Sequence, residues 1–83
     1  MKVEGTHGGE IFVGPDLTSI RFQNGNFASC DTLALKAAVE KKEFTVLGGV
    51  DFTFGPDVVI LTVPDDEIML GYDHLKDVLD QVR

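Results

Sequence analysis

Short apolar runs are separated by glycine, proline and Asn-Gly turn signals along the whole chain, and several of them alternate with polar residues in period two. Such alternation is typical of strands with one buried face. It predicts four strands near residues 2–4, 10–13, 17–23 and 26–29 and four more near 44–47, 50–54, 58–63 and 67–70. Most of the chain is therefore expected to form a β-sheet.

A helical pattern follows each group of predicted strands. In the second helix, apolar residues at i, i+3, i+4 and i+7 define one buried face: Leu75, Val78, Leu79 and Val82. The first helix has a thinner apolar face, formed by Leu35, Ala38 and Val39. Asp31 and Asp73 precede the two patterns and are predicted to be their N-caps.

The tripeptide Gly-Pro-Asp occurs at residues 14–16 and again, 41 positions later, at residues 55–57. A Gly-Gly pair precedes each copy, and a strand, a turn, a second strand and a helix follow. We predict an α+β fold in which two pseudo-repeated units, about 1–42 and 43–83, each contain short antiparallel strands plus one helix. Neither unit could bury a core alone, so residues 1–83 are expected to form one β-rich domain with two helices.

The Gly-Pro-Asp tripeptides are explained by a role in turns, and no catalytic role is needed to account for them. Proline suits the second position of a turn, and aspartate bonds to nearby backbone N–H groups, so Gly-Pro-Asp is interpreted as a hairpin connector. The alternative, a pair of functional carboxylates at Asp16 and Asp57, lacks other ligand types at a fixed spacing. Asn24-Gly25 predicts a two-residue type I′ turn, which would place Phe22 opposite Phe27 in the core.

Residues capable of chemistry do not form a recognisable catalytic pattern. His7 and His74 lie in opposite halves without metal-site spacing, and the glycine pairs lack a phosphate-binding pattern. Cys30 could be activated beside a helix start, but an apolar contact with Leu35 is the favoured interpretation. We therefore predict no enzymatic activity, no cofactor and no metal.

Composition indicates one small globular domain: 83 residues, 43% of them hydrophobic and 25% charged. The chain has one cysteine, no signal-peptide pattern at its start and no stretch of about 20 apolar residues. We therefore expect it in the cytoplasm, not secreted by a signal peptide and without a membrane partner.

Charge is distributed unequally between the two units. Residues 1–42 hold five acidic and five basic residues, so the second unit, with nine acidic and two basic residues, carries the whole net charge of −7. Such a field repels nucleic acid and attracts basic proteins. Asp73, Asp77 and Asp80 form an acidic stripe on the last helix, which is either a docking site or an ordinary solvated face.

The strands that follow the two tripeptides differ on their outward faces. In the first unit, Ser19 and Arg21 alternate with apolar residues, as in a strand with one solvent-exposed face. In the second unit the outward residues are Val58, Ile60 and Thr62, so both faces of that strand are apolar. Either a helix covers this face, or it binds a protein partner or another copy of the chain.

Residues 20–46, IRFQNGNFASCDTLALKAAVEKKEFTV, resemble small tailed-phage proteins encoded among head and neck genes. The matching features are the strand turn at Phe22, Asn24 and Gly25, the acidic residue Asp31 before the helix, and Phe44 near the next strand. The resemblance implies a virion component, such as a capsid decoration or head-to-tail joining protein, that acts by assembly. The alternative hypothesis is a small acidic inhibitor or adaptor of a basic nucleic-acid-binding protein.

Overall fold

The computed structural model describes residues 1–82 and contains two four-stranded antiparallel sheets and two helices, which confirms the α+β prediction. Sheet 1 consists of β1 (Lys2–Glu4), β2 (Glu10–Val13), β3 (Leu17–Arg21) and β4 (Phe27–Asp31), followed by α1 (Thr32–Lys41). Sheet 2 consists of β5 (Thr45–Leu47), β6 (Val50–Phe54), β7 (Val58–Val63) and β8 (Asp66–Gly71), followed by α2 (Tyr72–Gln81). The order of elements is therefore the same in both units.

Each sheet is a meander in which strands pair with their neighbours in sequence. Ile11 pairs with Ile20 in sheet 1, and Phe52 pairs with Leu61 at the equivalent place in sheet 2, with the same offset of 41. These four side chains are buried. The sequence repeat is thus a repeat of strand register.

The two Gly-Pro-Asp segments form the hairpin turns between the second and third strand of each sheet. Gly14 N–H donates to the Leu17 carbonyl at 3.0 Å, and Gly55 N–H donates to the Val58 carbonyl at 2.9 Å. The aspartate carbonyls have a second role, because the first N–H of each helix donates to them. Thr32 donates to Asp16 at 3.0 Å and Tyr72 to Asp57 at 2.9 Å. Each turn therefore fixes the start of its helix.

One hydrophobic core joins the two units, because the inner faces of both sheets and the buried faces of both helices belong to one cluster. The α2 helix buries the predicted residues Leu75, Val78 and Leu79, with Val82 half-buried beside them. The Tyr72 hydroxyl donates to the Val39 carbonyl in the last turn of α1, at 2.6 Å. This carbonyl is one of the helix-end acceptors without an intrahelical donor, so Tyr72 ties the two helices together.

The Gly-Gly pairs form turns that contact the opposite unit. A Cβ on Gly48 would collide with the Ser29 carbonyl of β4, and a Cβ on Gly9 would lie 2.6 Å from the Ile68 side chain of β8. Both glycines have positive φ, 58° and 76°. Thr6 N–H adds a bond of 2.8 Å to the Met69 carbonyl. Glycine is required at position 48 because the β4 backbone approaches too closely for a side chain, whereas at position 9 an added Cβ would meet the Ile68 side chain.

The predicted type I′ turn at Asn24-Gly25 is wrong. Phe22 N–H donates to the Asn26 carbonyl at 2.9 Å, and Gly25 N–H donates to Phe22 at 3.1 Å, so the loop has three residues. Only Gly25 in this loop has positive φ, as in a type I turn followed by a glycine bulge. The register therefore slips by one residue, Arg21 faces Phe27, and Phe27 is 66% exposed instead of lying in the core.

The predicted N-cap of the second helix is also wrong, whereas that of the first is confirmed. The Asp31 carboxylate accepts from Ala34 N–H at 3.2 Å. In the second unit the N-cap is Gly71, which has no side chain to cap with, and Asp73 lies inside the first turn. The hydrogen bond from Tyr72 N–H to the Asp57 carbonyl starts this helix two residues earlier than its sequence suggests.

Candidate binding surfaces

The outer face of sheet 2 is the side opposite the helices, formed by Val46, Asp51, Thr53, Val58, Ile60, Thr62, Glu67 and Met69. Cross-strand pairing places Thr53, Ile60 and Met69 in one row and Val46, Asp51, Thr62 and Glu67 in the next. Both helices bury their apolar sides in the core, so they do not cover this face. The predicted residues Val58, Ile60 and Thr62 are all partly exposed on it.

The carboxylates of this face have no cation partner among residues 1–82. Asp51 and Glu67 flank Thr62 in the pairing of β6, β7 and β8, and neither forms an ion pair. Asp65 lies exposed in the turn between β7 and β8. The result is an aliphatic strip with an acidic rim, which is complementary to an apolar surface that carries Lys or Arg at its edge.

The acidic stripe lies on a different surface. Asp73, Asp77 and Asp80 are exposed on α2, whose opposite side packs into the core lined by the inner face of sheet 2. Lys76 bridges Asp80 at 3.2 Å, and this hydrogen bond raises the pKa of the Lys76 ammonium. The six residues predicted to bind a partner therefore form two surfaces on opposite sides of the sheet.

Residues considered for chemistry are not assembled into a catalytic or metal site within the described part of the chain. No group of three or more His, Cys, Asp or Glu side chains lies close enough to hold a metal ion in residues 1–82. His7 and His74 are exposed. Cys30 is buried, and desolvation, aided by the nearby Asp31 charge, raises the pKa of its thiol to about 11. The thiol is therefore protonated and unreactive at neutral pH.

A notch of about 320 Å³ lies between α1 and β5 and was not predicted from the sequence. Its lining includes Ala34, Ala37 and Ala38 on the helix, Phe44 in the connection and Leu47 on the strand. Phe44 is 64% exposed, and Val46 on the same strand is 54% exposed. One indication of this opening was present in the sequence. The first helix carries three alanines, whose small side chains fill little space.

Known proteins offer no comparison for these surfaces, since no family model, no curated protein and no solved structure matches the chain. No helix within residues 1–82 is long and apolar enough to cross a bilayer.

Proposed function

We propose that this chain is a non-enzymatic structural protein of a virus particle, a capsid decoration or head-to-tail joining protein, that binds a protein partner through the outer face of sheet 2. The observation that carries the proposal is the aliphatic strip of Val58, Ile60 and Met69 left uncovered by both helices. A solvated sheet face normally carries polar residues, as β3 of sheet 1 does at Ser19 and Arg21. The resemblance of residues 20–46 to phage head and neck proteins supports the virion role.

The two units supply a matched pair of variants for the binding surface. Ile60 on β7 corresponds to Ser19 on β3, because the strands are related by the offset of 41 residues. Both side chains are partly exposed. Ile60→Lys would place a charge in the middle of the aliphatic strip, whereas Ser19→Lys would place the same charge at the equivalent position of sheet 1, opposite Phe12 and Ser29.

The experiment uses particles of the phage or prophage whose genome encodes the chain. Particles are purified on a density gradient, and the chain is quantified by mass spectrometry for the wild type, Ile60→Lys and Ser19→Lys. We expect wild type and Ser19→Lys in the particles and at least tenfold less of Ile60→Lys, as for the loss of a central apolar contact of about 1.4 kcal/mol or more. Circular dichroism of the purified variants checks that both are folded.

Two results would contradict the proposal. Particles that lack the wild-type chain would exclude a virion component. Equal incorporation of Ile60→Lys and wild type would exclude the outer face of sheet 2 as the contact.

The second candidate function is an inhibitor or adaptor of a basic nucleic-acid-binding protein. It is favoured by one observation, the exposed carboxylates of Asp73 and Asp77, neither of which has an ion-pair partner among residues 1–82. Binding through these carboxylates would weaken steeply between about 50 and about 500 mM salt, because exposed charges are screened. Binding through the aliphatic strip would persist or strengthen over the same range. Isothermal titration with the identified partner at both salt concentrations distinguishes the two functions.

A further inference from the structure

The connection between α1 and β5 gathers exposed apolar side chains that the core does not use. Phe44 and Val46 are 64% and 54% exposed, and Phe44 lines the notch between α1 and β5. Isolated exposed apolar residues are normal on a protein surface. A group of them beside an open strand edge is different, because such an edge is a template for pairing.

The outer edge of β5 has hydrogen-bonding groups without partners. Gly48 and Gly49 both have positive φ and form a two-residue turn closed by the pair Leu47 and Val50. In such a hairpin the closing pair is hydrogen-bonded, and the next pair outward is not. The N–H and C=O of Val46 therefore point away from β6, and no hydrogen bond reaches them from any residue in 1–82.

Two other strand edges, those of β8 and β4, are engaged within the chain. Thr6 N–H donates to the Met69 carbonyl at the edge of β8, and the Gly48 turn lies against Ser29 of β4. The strand β5 also contacts β4, and its residues Thr45 and Leu47 line the notch. A strand added there would continue sheet 2, and its inward side chains would enter the notch above Ala34, Ala37 and Ala38.

We infer that β5 pairs with β5 of a second copy of this chain, in an antiparallel arrangement about a twofold axis through Val46. In this arrangement each Val46 N–H donates to the Val46 carbonyl of the other copy, so both free groups are satisfied at once. The small side chains on α1 allow the two α1 helices to approach beneath the extended sheet. The contact is made by the backbone edge of β5 and not by the outer-face side chains of Val58 and Ile60, so it does not depend on the proposed function.

Charge favours a second copy over a basic peptide at this edge. The segment 36–43 contains three basic residues, Lys36, Lys41 and Lys42, and two acidic residues, Glu40 and Glu43. Its charges are therefore nearly balanced, unlike those of the strongly acidic second unit. Lys41 and Glu43 both line the notch. A surface that carries both signs is suited to an isologous contact, in which Lys41 of one copy can pair with Glu43 of the other.

The test is the mass of the full chain in solution, measured by sedimentation velocity and light scattering from about 5 µM to about 1 mM. We expect twice the mass of one chain at the upper end. Val46→Pro removes the outward N–H without breaking the ladder to β6, since edge strands tolerate proline where the N–H faces solvent. It should weaken the dimer on the order of tenfold to a hundredfold, because two hydrogen bonds are lost. The control, Val46→Thr, keeps the N–H and should remain dimeric.

A second pair of variants tests the helix side and remains informative if Val46→Pro does not fold. Ala37→Glu places a charge on the exposed alanine face of α1, and Gln81→Glu adds the same charge at an exposed position of α2. Only Ala37→Glu should dissociate the dimer. A wild-type chain that stays monomeric to about 1 mM would overturn the inference. A dimer that survives both Val46→Pro and Ala37→Glu, or that is lost only in Ile60→Lys, would also overturn it.

Discussion

The outer faces of the two sheets differ although their backbones repeat. In sheet 1, Glu10 lies opposite Arg21 and forms an ion pair with it at 3.1 Å. At the equivalent place in sheet 2, Asp51 lies opposite Thr62 and has no cation partner within residues 1–82. Sheet 1 thus satisfies its own charges, whereas sheet 2 leaves a carboxylate beside an aliphatic strip. The outer face of sheet 1 also exposes apolar side chains, those of Phe12, Leu17 and Phe27, so the unpaired carboxylates distinguish sheet 2 from sheet 1.

The interiors of the two units are more alike, with one polar exception. Thr18 and Thr32 are buried in the first unit where the second has Val59 and Tyr72. Thr32 donates its hydroxyl proton to the Gly14 carbonyl at 2.8 Å. Since a hydroxyl has one proton, Thr18 must be the donor in the 2.9 Å contact between the two threonines. The first unit therefore uses hydrogen bonds where the second uses apolar packing.

The largest expected effect concerns the shared core. Ile20 and Leu61 are equivalent and are both 0% exposed. Ile20→Ala and Leu61→Ala should each lower the free energy of unfolding by about 2 to 5 kcal/mol, through lost burial and a cavity. Because one core joins the units, both variants should shift the same cooperative transition in urea. Two separate transitions, each sensitive to one variant, would show instead that the units unfold independently.

The next effect concerns the glycine turns that lock the units together. Gly48→Ala should destabilise by about 1 to 3 kcal/mol, because an L-residue is strained at positive φ and its Cβ would strike the Ser29 carbonyl. Gly49 also has positive φ but nothing lies within 4 Å of an added Cβ. Gly49→Ala is therefore the control, and thermal unfolding should show the smaller loss. Equal losses would mean that the contact with β4 does not matter.

The smallest effect concerns the buried threonine pair. Thr18→Val introduces the residue found at the equivalent Val59 and should cost about 0.5 to 1.5 kcal/mol, since Thr32 keeps its bond to Gly14. Thr32→Val should cost more, about 1 to 3 kcal/mol, because it leaves the Thr18 hydroxyl and the Gly14 carbonyl without their partner. Urea denaturation of the two variants measures the order. The reverse order would contradict the donor assignment.

Most strands and both helices could be predicted from sequence because their signals are local. The bounds 2–4, 10–13, 50–54 and 58–63 match the structure, since alternation and adjacent turn residues define them. The errors occur where the structure depends on one extra loop residue or on a contact with a residue that is distant in the sequence. Phe27 left the core because the loop at Asn24 contains one residue more than predicted, and Tyr72 begins α2 because Asp57 accepts its N–H.

The candidate surfaces were predictable only in part. Alternation in β7 was enough to place Val58, Ile60 and Thr62 on one face, since successive side chains of a strand point to opposite sides. It could not show that the acidic stripe of α2 lies on the other side of the sheet. The notch at β5 was equally inaccessible, because it depends on how α1 and β5 diverge after Phe44.

The sequence by itself determined the doubled order of strands and helix, the hairpin role of both Gly-Pro-Asp segments and the concentration of negative charge in the second unit. These properties follow from residue periodicity, turn chemistry and counting. Only the tertiary structure decided that each Gly-Gly turn locks onto the other unit, that the outer face of sheet 2 stays uncovered and that the edge of β5 remains open. The reason is that such contacts join residues far apart in the chain, and no local pattern encodes their distance.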